Sequence, residues 1–332
     1  MCNKKTILIV GGNGFIGRNI VSYISGHYID EYQVIIADIK RFDFGLELET
    51  NWACLEHIYI GDILNYSFLE TIFSNHKVNL VVHAQGNVTP ICTNEDSIKI
   101  MDDLKASFNI VRVMGVFNVR DIIFISSAGA VYGNTRNKNK ETDPTNPVSA
   151  YGFVKIAIEN YLMDNISHCN LRPLVVRLSN VYGEYHTSRH NGICNIALRN
   201  TLRGNETTIW GDGIGSKDYI YAEDAVDIIL QLYRMEIFNE IINKGGLVVF
   251  PTETVYGIGV NGLDEEAIKK LYKIKQRPLN KPISLLVSDI EMVEKIAKDI
   301  TEIEYKLMEN FFPGPFTIIF FIQIPSKFVL QL

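Results

Sequence analysis

Six short apolar runs constrain this chain more than anything else in it. They are TILIV (6–10), QVIIAD (33–38), HIYIGD (57–62), NLVVHA (79–84), DIIFIS (121–126) and PLVVRL (173–178). Each is rich in Val or Ile and apolar throughout rather than alternating, the pattern of strands buried on both faces of a parallel sheet. Parallel neighbours need long crossovers, and helical segments separate these runs. Residues 6 to about 177 therefore read as repeated strand–helix–strand units, an α/β fold with a doubly wound parallel sheet.

The remainder of the 332 residues has a different character. The stretch AEDAVDIILQLYRMEIFNEIINK (222–244) reads as a helix and runs without a turn signal into GGLVVFPTETVYG (245–257). Beyond it the pattern predicts a helix near LDEEAIKKLYKIKQ (263–276), a strand near PISLLV (282–287), a helix from about Asp289 to Asn310 and a last strand PFTIIFFI (315–322). A boundary between 236 and 244 gives one domain over 1–235 and a smaller α/β domain over 240–325. The net charge of −6 argues against a general nucleic-acid or membrane-surface binder. No apolar run reaches membrane-spanning length, and the five scattered cysteines have no zinc or redox spacing. A cytoplasmic protein is the expectation.

Directly after the first run, VGGNGFIG places Gly11, Gly14 and Gly17 where a tight turn opens a helix. Glycine allows the turn and a close backbone approach, and the helix N-terminus can receive a pyrophosphate. Asp38 ends the second run about 20 residues on, where an acid accepts hydrogen bonds from an adenosine ribose. Asp62 ends the third, where the adenine would lie. Asp38 favours NAD over NADP because a 2′-phosphate would meet its charge, a preference that Lys40 and Arg41 soften.

In SAYGFVK, Tyr151 and Lys155 are four residues apart on one helix face. A free phenol, with a pKa of about 10, is a poor base at neutral pH. A neighbouring ammonium favours the phenolate and moves it toward the useful range.

With GGNGFIG, ISSAGAVYG, YGFVK, RLSNVYG and GDGIGSKDYIYAEDAV in this order, residues 5–235 resemble the extended short-chain dehydrogenases/reductases, in their nucleotide-sugar epimerase and dehydratase branch. The resemblance implies a Rossmann-type fold, a tightly bound NAD and a nucleotide-sugar substrate. It gives Tyr151 the proton of a sugar hydroxyl, has Lys155 lower the Tyr151 pKa and contact the nicotinamide ribose, and puts Asn180 at the substrate diphosphate. The family's catalytic Ser or Thr falls on Ala128 here, which leaves the adjacent Ser127 to serve. Lys217 stands where the family usually has Arg, keeping the charge but losing the bidentate fork. Ala128 and Gly129 replace the acidic pair that dehydratases use, so the reading is a UDP-glucose 4-epimerase-like enzyme. Homodimers built by packing two helices from each copy are common in this family. The family's sugar-binding lobe continues past YAEDAV, and a shortened lobe is expected here. A dinucleotide-binding protein without sugar chemistry is the alternative. His186 and His190 could chelate a metal, but with no third ligand they read as a solvated loop.

The stretch GGLVVFPTETVYGIGVN, with Lys-x-Arg-Pro at 275–278 and FFPGPFT downstream, resembles a second family, the threonylcarbamoyl-adenylate synthases of tRNA modification. Lys275 and Arg277 are cations spaced to reach phosphate oxygens, and Arg can do so bidentately. The resemblance assigns that pair to ATP and places Thr252 in a strand lining the threonine and nucleotide pocket. The family's Ser-x-Asn element is expected after PGPFTIIF, where FIQIPSKFVLQL stands instead. The second domain is therefore expected to be partial and inactive, with synthase activity as its alternative.

Overall fold

The computed structural model describes residues 4–40, 52–89, 97–133, 138–188, 192–208, 217–251, 256–278, 281, 283, 285–287, 289–311 and 321–322. The chain divides into two compact units, 1–233 and 234–332.

All six apolar runs of the first unit are strands: β1 (Lys5–Val10), β2 (Tyr32–Asp38), β3 (Leu55–Ile60), β4 (Val78–His83), β5 (Asp121–Ser127) and β6 (Arg172–Leu178). They form one parallel sheet in the order β3-β2-β1-β4-β5-β6. Between them run α1 (Phe15–His27), α2 (Tyr66–Asn75), α3 (Ser97–Val116), the short α4 (Ala128–Val131) and α5 (Ala150–His168). Leu8, Val10, Val81, Ile122 and Phe124 share a buried cluster with residues of α2, α3 and α5. Ile7, Ile9 and Ile36, which alternate with the residues of that cluster, are equally buried. This is why the strands carry no polar face.

The chain then forms β7 (Asn180–Tyr182), α6 (Ile193–Leu202) and β8 (Tyr219–Tyr221), with β7 and β8 paired in parallel apart from the main sheet. The border between the units falls within α7 (Ala222–Asn243).

In the second unit β9 (Val248–Pro251) and β10 (Tyr256–Gly259) pair antiparallel, and α8 (Glu265–Ile274) follows. Residues 283 and 285–287 form no strand, contrary to the expectation for PISLLV. Leu285 and Val287 still turn inward, packing beside Val293, Ile296 and Met308. The long helix expected from Asp289 to Asn310 is two helices, α9 (Ile290–Ile296) and α10 (Glu302–Phe311), parted by β11 (Ala297–Lys298). Asp299 sits at φ +54, and Thr301 restarts the helix as a capping box. The Thr301 amide donates to Glu304 Oε2 at 2.7 Å, and the Glu304 amide returns to Thr301 Oγ1 at 3.3 Å. Of the expected last strand, the described part is β12 (Phe321–Ile322), paired with β11.

Candidate active site

The sheet order reverses between β1 and β4, and ligands of open α/β sheets bind outside the carboxyl ends of strands at such a point. A cleft of about 440 Å³ lies there. Val10, Ala37 and Ala84 at the strand ends form its base, and the glycine turn, Asp38 and the 85–87 turn form its walls. Gly11 holds φ +80, and a β-carbon on it would lie 2.7 Å from the Gln85 nitrogen. One on Gly17 would lie 2.6 Å from the Gly12 α-carbon, so α1 can leave the sheet this closely only as glycine. Gly14 is the N-cap of α1, and no side chain caps the helix. A thin turn that opens an uncapped thirteen-residue helix suits a dinucleotide pyrophosphate.

Asp38 ends β2 as expected, and its carboxylate laces the turn to the strand. Oδ2 accepts the Asn13 amide at 2.9 Å and Oδ1 the Lys40 amide at 3.0 Å. Asp38 lines the cleft, and each carboxylate oxygen has acceptor capacity beyond these amides for a ribose diol. Arg18 also lines the cleft and donates to Asn13 Oδ1 at 2.9 Å through Nε. Asp62 does not end the third strand. β3 stops at Ile60, and Asp62 lies two residues on, its Oδ1 accepting the Leu64 amide at 2.9 Å in the turn toward α2. It still borders the cleft. Arg41 lies outside the described residues.

Tyr151 and Lys155 share the inward side of α5, whose N-terminus is capped by Ser149 accepting the Gly152 amide at 3.1 Å. Lys155 is buried and donates to the Ile125 carbonyl at 2.8 Å, with Nζ 5.6 Å from the Tyr151 ring centroid. It reaches the cleft wall at Gly86, where a β-carbon would stand 3.9 Å from Nζ. The Ser127 hydroxyl hydrogen-bonds the Tyr151 phenol. Burial holds that phenol above its ordinary range, the Ser127 bond opposes the rise and the Asp103 charge adds to it. Burial pulls Lys155 down to about 8, against the pull of Asp103 and Glu159. Below this pair Glu159 Oε2 accepts Arg177 Nη2 at 2.7 Å, Arg177 Nη1 donates to the Tyr132 hydroxyl at 2.7 Å, and Ser126 bonds to Glu159.

Asn180 and Lys217 are exposed and do not line the cleft. They come together at the β7–β8 pair, where Asn180 Nδ2 donates to the Asp218 carbonyl at 2.9 Å. His186 is not in a solvated loop: its ring meets Phe15 edge-on at 4.5 Å, and burial lowers its pKa. His190 lies outside the described residues, and among those described no three His, Cys, Asp or Glu are grouped to hold a metal. In the second unit Lys275 and Arg277 are both exposed at the end of α8, with Arg277 Nε donating to the Lys281 carbonyl at 3.3 Å. Thr252 lies outside the described residues.

Sequence reasoning missed Asp103, a buried carboxylate of α3. It accepts the Asn87 amide at 2.8 Å, the Val88 amide at 3.0 Å and Gln85 Nε2 at 3.2 Å. Its signal was present: Asp103 leads the stripe Ala106, Ser107, Ile110 and Met114, the inward face of the helix.

The family model described as the NAD dependent epimerase/dehydratase family matches residues 7–245. The chain belongs to that family. NAD is the family's cofactor, and the glycine turn and Asp38 line the cleft. A putative UDP-glucose 4-epimerase of Methanocaldococcus jannaschii is 30% identical over 243 residues, 72% of this chain and 76% of that protein. The UDP-glucose 4-epimerase of Thermotoga maritima, solved with UDP-glucose, superposes with a TM-score of 0.60 at 29% identity, covering 68% of this chain and 72% of that one. A Sua5/YciO/YrdC domain, its family model described as telomere recombination, follows at 240–329. The threonylcarbamoyl-AMP synthase of Pyrococcus abyssi is 40% identical over 90 residues, 27% of this chain and 26% of that protein. The match therefore spans about a quarter of the synthase. Among the described residues no helix is long and apolar enough to cross a membrane.

Proposed function

We propose that residues 1–235 form an NAD-dependent nucleotide-sugar 4-epimerase, with UDP-glucose and UDP-galactose as its pair of substrates. One observation carries this reading. Gly86 lines the cleft together with the glycine turn, and Lys155 Nζ lies 3.9 Å from where a β-carbon on Gly86 would stand, which brings the Tyr151–Lys155 side of α5 to the edge of that cleft. NAD, when bound, supplies a reversible hydride acceptor. Gly11, Gly14 and Gly17 admit its pyrophosphate, Asp38 receives the ribose hydroxyls, and Asp62 borders the adenine. Tyr151 as phenolate takes the sugar C4 hydroxyl proton while the hydride leaves that carbon, and returns it when the keto-sugar is reduced from its other face. The Ser127 hydroxyl steadies the phenolate by hydrogen bond, and the Lys155 ammonium supplies the positive field. Asn180 and Lys217 meet the diphosphate.

Protein denatured after purification should release NAD detectable by mass spectrometry. Tyr151→Phe should retain NAD but lower turnover of UDP-galactose, followed by NMR, by about 10³-fold or more. Protein that purifies empty, with no thermal shift on adding NAD, overturns the reading. The exposure of Asn180 and Lys217 away from the cleft favours a second reading, a dinucleotide-binding protein without sugar chemistry. Any inversion at C4 removes it.

For residues 240–325 the proposal is a partial synthase domain that makes no threonylcarbamoyl-AMP by itself. Lys275 and Arg277 are exposed, and exposed cations contribute little in water. The assay is pyrophosphate release from ATP with threonine and bicarbonate. Release that disappears in Arg277→Ala would establish the synthase activity instead.

A further inference from the structure

The inner end of the cleft has a charge arrangement that the roles above leave unused. A β-carbon built on Gly86 would lie 3.7 Å from Asp103 Oδ2 and 3.9 Å from Lys155 Nζ, so a carboxylate and an ammonium both border one glycine. Both side chains are buried, Asp103 at 4% and Lys155 at 8% exposure. Isolated charges at such depth cost several kcal/mol, and each is tolerated here only with partners. Asp103 has its three N–H donors from the 85–88 turn, and Lys155 has the Ile125 carbonyl.

We infer that Asp103 is a positioning residue that acts through Lys155. Its carboxylate anchors the 85–88 wall of the cleft and, from the same seat, keeps the ammonium charged and drawn toward Gly86. The inference rests on the reading that Tyr151 and Lys155 move the proton.

The groups around Lys155 support one direction of effect. From α5 come Tyr151 and Glu159, from α3 Asp103, from β4 His83, and from β6 Arg177 behind Glu159. His83 is pushed down to about 3 by burial and by Lys155, so it is neutral and supplies no counter-charge. Glu159 is already paired with Arg177 through Nη2 at 2.7 Å. Asp103 is the carboxylate named here that borders Gly86 together with the ammonium. Without its charge, Lys155 loses a partner while keeping its burial, and deprotonates earlier.

The test titrates Lys155 itself rather than turnover. Protein labelled with [ε-13C]lysine is followed by NMR from pH 6 to 11, and the Lys155 resonance is assigned by its loss in Lys155→Arg. The midpoint should fall by about one unit in Asp103→Asn, and Asp103→Glu should recover at least half of the fall. Gln85→Ala, which removes one hydrogen bond of the wall but no charge, should leave the midpoint in place. Should Asp103→Asn not fold, Asp103→Ser gives the same comparison, its hydroxyl still able to accept from an amide. An unchanged midpoint on loss of the carboxylate, or an equal fall in Gln85→Ala, overturns the inference. Failure of the proton-transfer reading would register separately, as a Tyr151→Phe protein that still turns over.

Discussion

Lys155 is placed at a cost that can be measured. Its pKa falls from 10.5 to about 8, chiefly through burial. Below pH 8 the residue is protonated in both folded and unfolded chains, and the penalty for burying its charge is fully present. Between about 8 and 10.5 the unfolded chain binds more protons than the folded one, so stability from this group rises with pH across that window. The penalty is on the order of 3 kcal/mol, taking 1.36 kcal/mol for each pKa unit. Lys155→Met should therefore raise the unfolding free energy at pH 7 by roughly 1–3 kcal/mol while abolishing turnover, a trade of function against stability. Urea denaturation at pH 7 and pH 10 checks the sign, for the advantage of the variant should shrink at the higher pH. An advantage that grew with pH would contradict the buried-ammonium account.

At the scale of elements, the end of α8 is one place where sequence and backbone disagree. The Arg277 amide bonds to the Tyr272 carbonyl at 3.0 Å and the Gln276 amide to the Lys273 carbonyl at 3.3 Å, a Schellman ending with Gln276 at φ +48. A side chain in the left-handed region costs about 1 kcal/mol, of which glycine gives back part through its freer unfolded state. Gln276→Gly should stabilise the second unit by a few tenths to about 1 kcal/mol, read as a higher denaturation midpoint. The same contrast explains what was legible in the sequence. β1, β2, β4 and β5 follow from Val and Ile runs buried on both faces, because hydrophobic pattern and burial agree there. The Tyr151/Lys155 spacing and the glycine turn were equally plain, since period and turn chemistry are local. Residues 297–301 were not: the apolar period of α9 continues in phase into α10, and the capping box Thr301-x-x-Glu304 was the one local sign of a restart. PISLLV kept its inward residues but found no strand partner, and pairing is a long-range fact. Asp103 was missed because an acid within an apolar helix reads as surface until its amide donors, fifteen and sixteen residues earlier, are brought beside it.

For the molecule as a whole, the helices α3 and α5 pack together, with Phe108 and Tyr161 rings 4.3 Å apart, and turn large apolar residues outward. Ile98 and Met101 on α3 and Phe153 and Met163 on α5 are all more than half exposed. A homodimer of the kind that the family resemblance implies would cover that face, burying about 800 Å² on each copy if of standard size. Met101→Glu combined with Phe153→Glu should give a monomer in light scattering where the parent chain gives a dimer, without loss of NAD binding. A parent chain that is monomeric at micromolar concentration would dismiss the pairing. At one border of the sheet, β6 pairs among the described residues with β5 alone, and all seven of its residues are only partly buried despite a Val- and Leu-rich sequence. The central strand β1, by contrast, is flanked on both sides and holds residues at 0% exposure. Deuterium should therefore enter the sheet from its two borders inward, since β3 at the other end carries exposed residues as well. The amides of β6 that point away from β5 should exchange within the time of surface loops, those of β5 later, and those of β1 and β4 only when the whole unit opens. In a kinetic sense the rigid part of the sheet would then lie at β1 and β4, beneath the glycine turn, with the soft margins at its two borders.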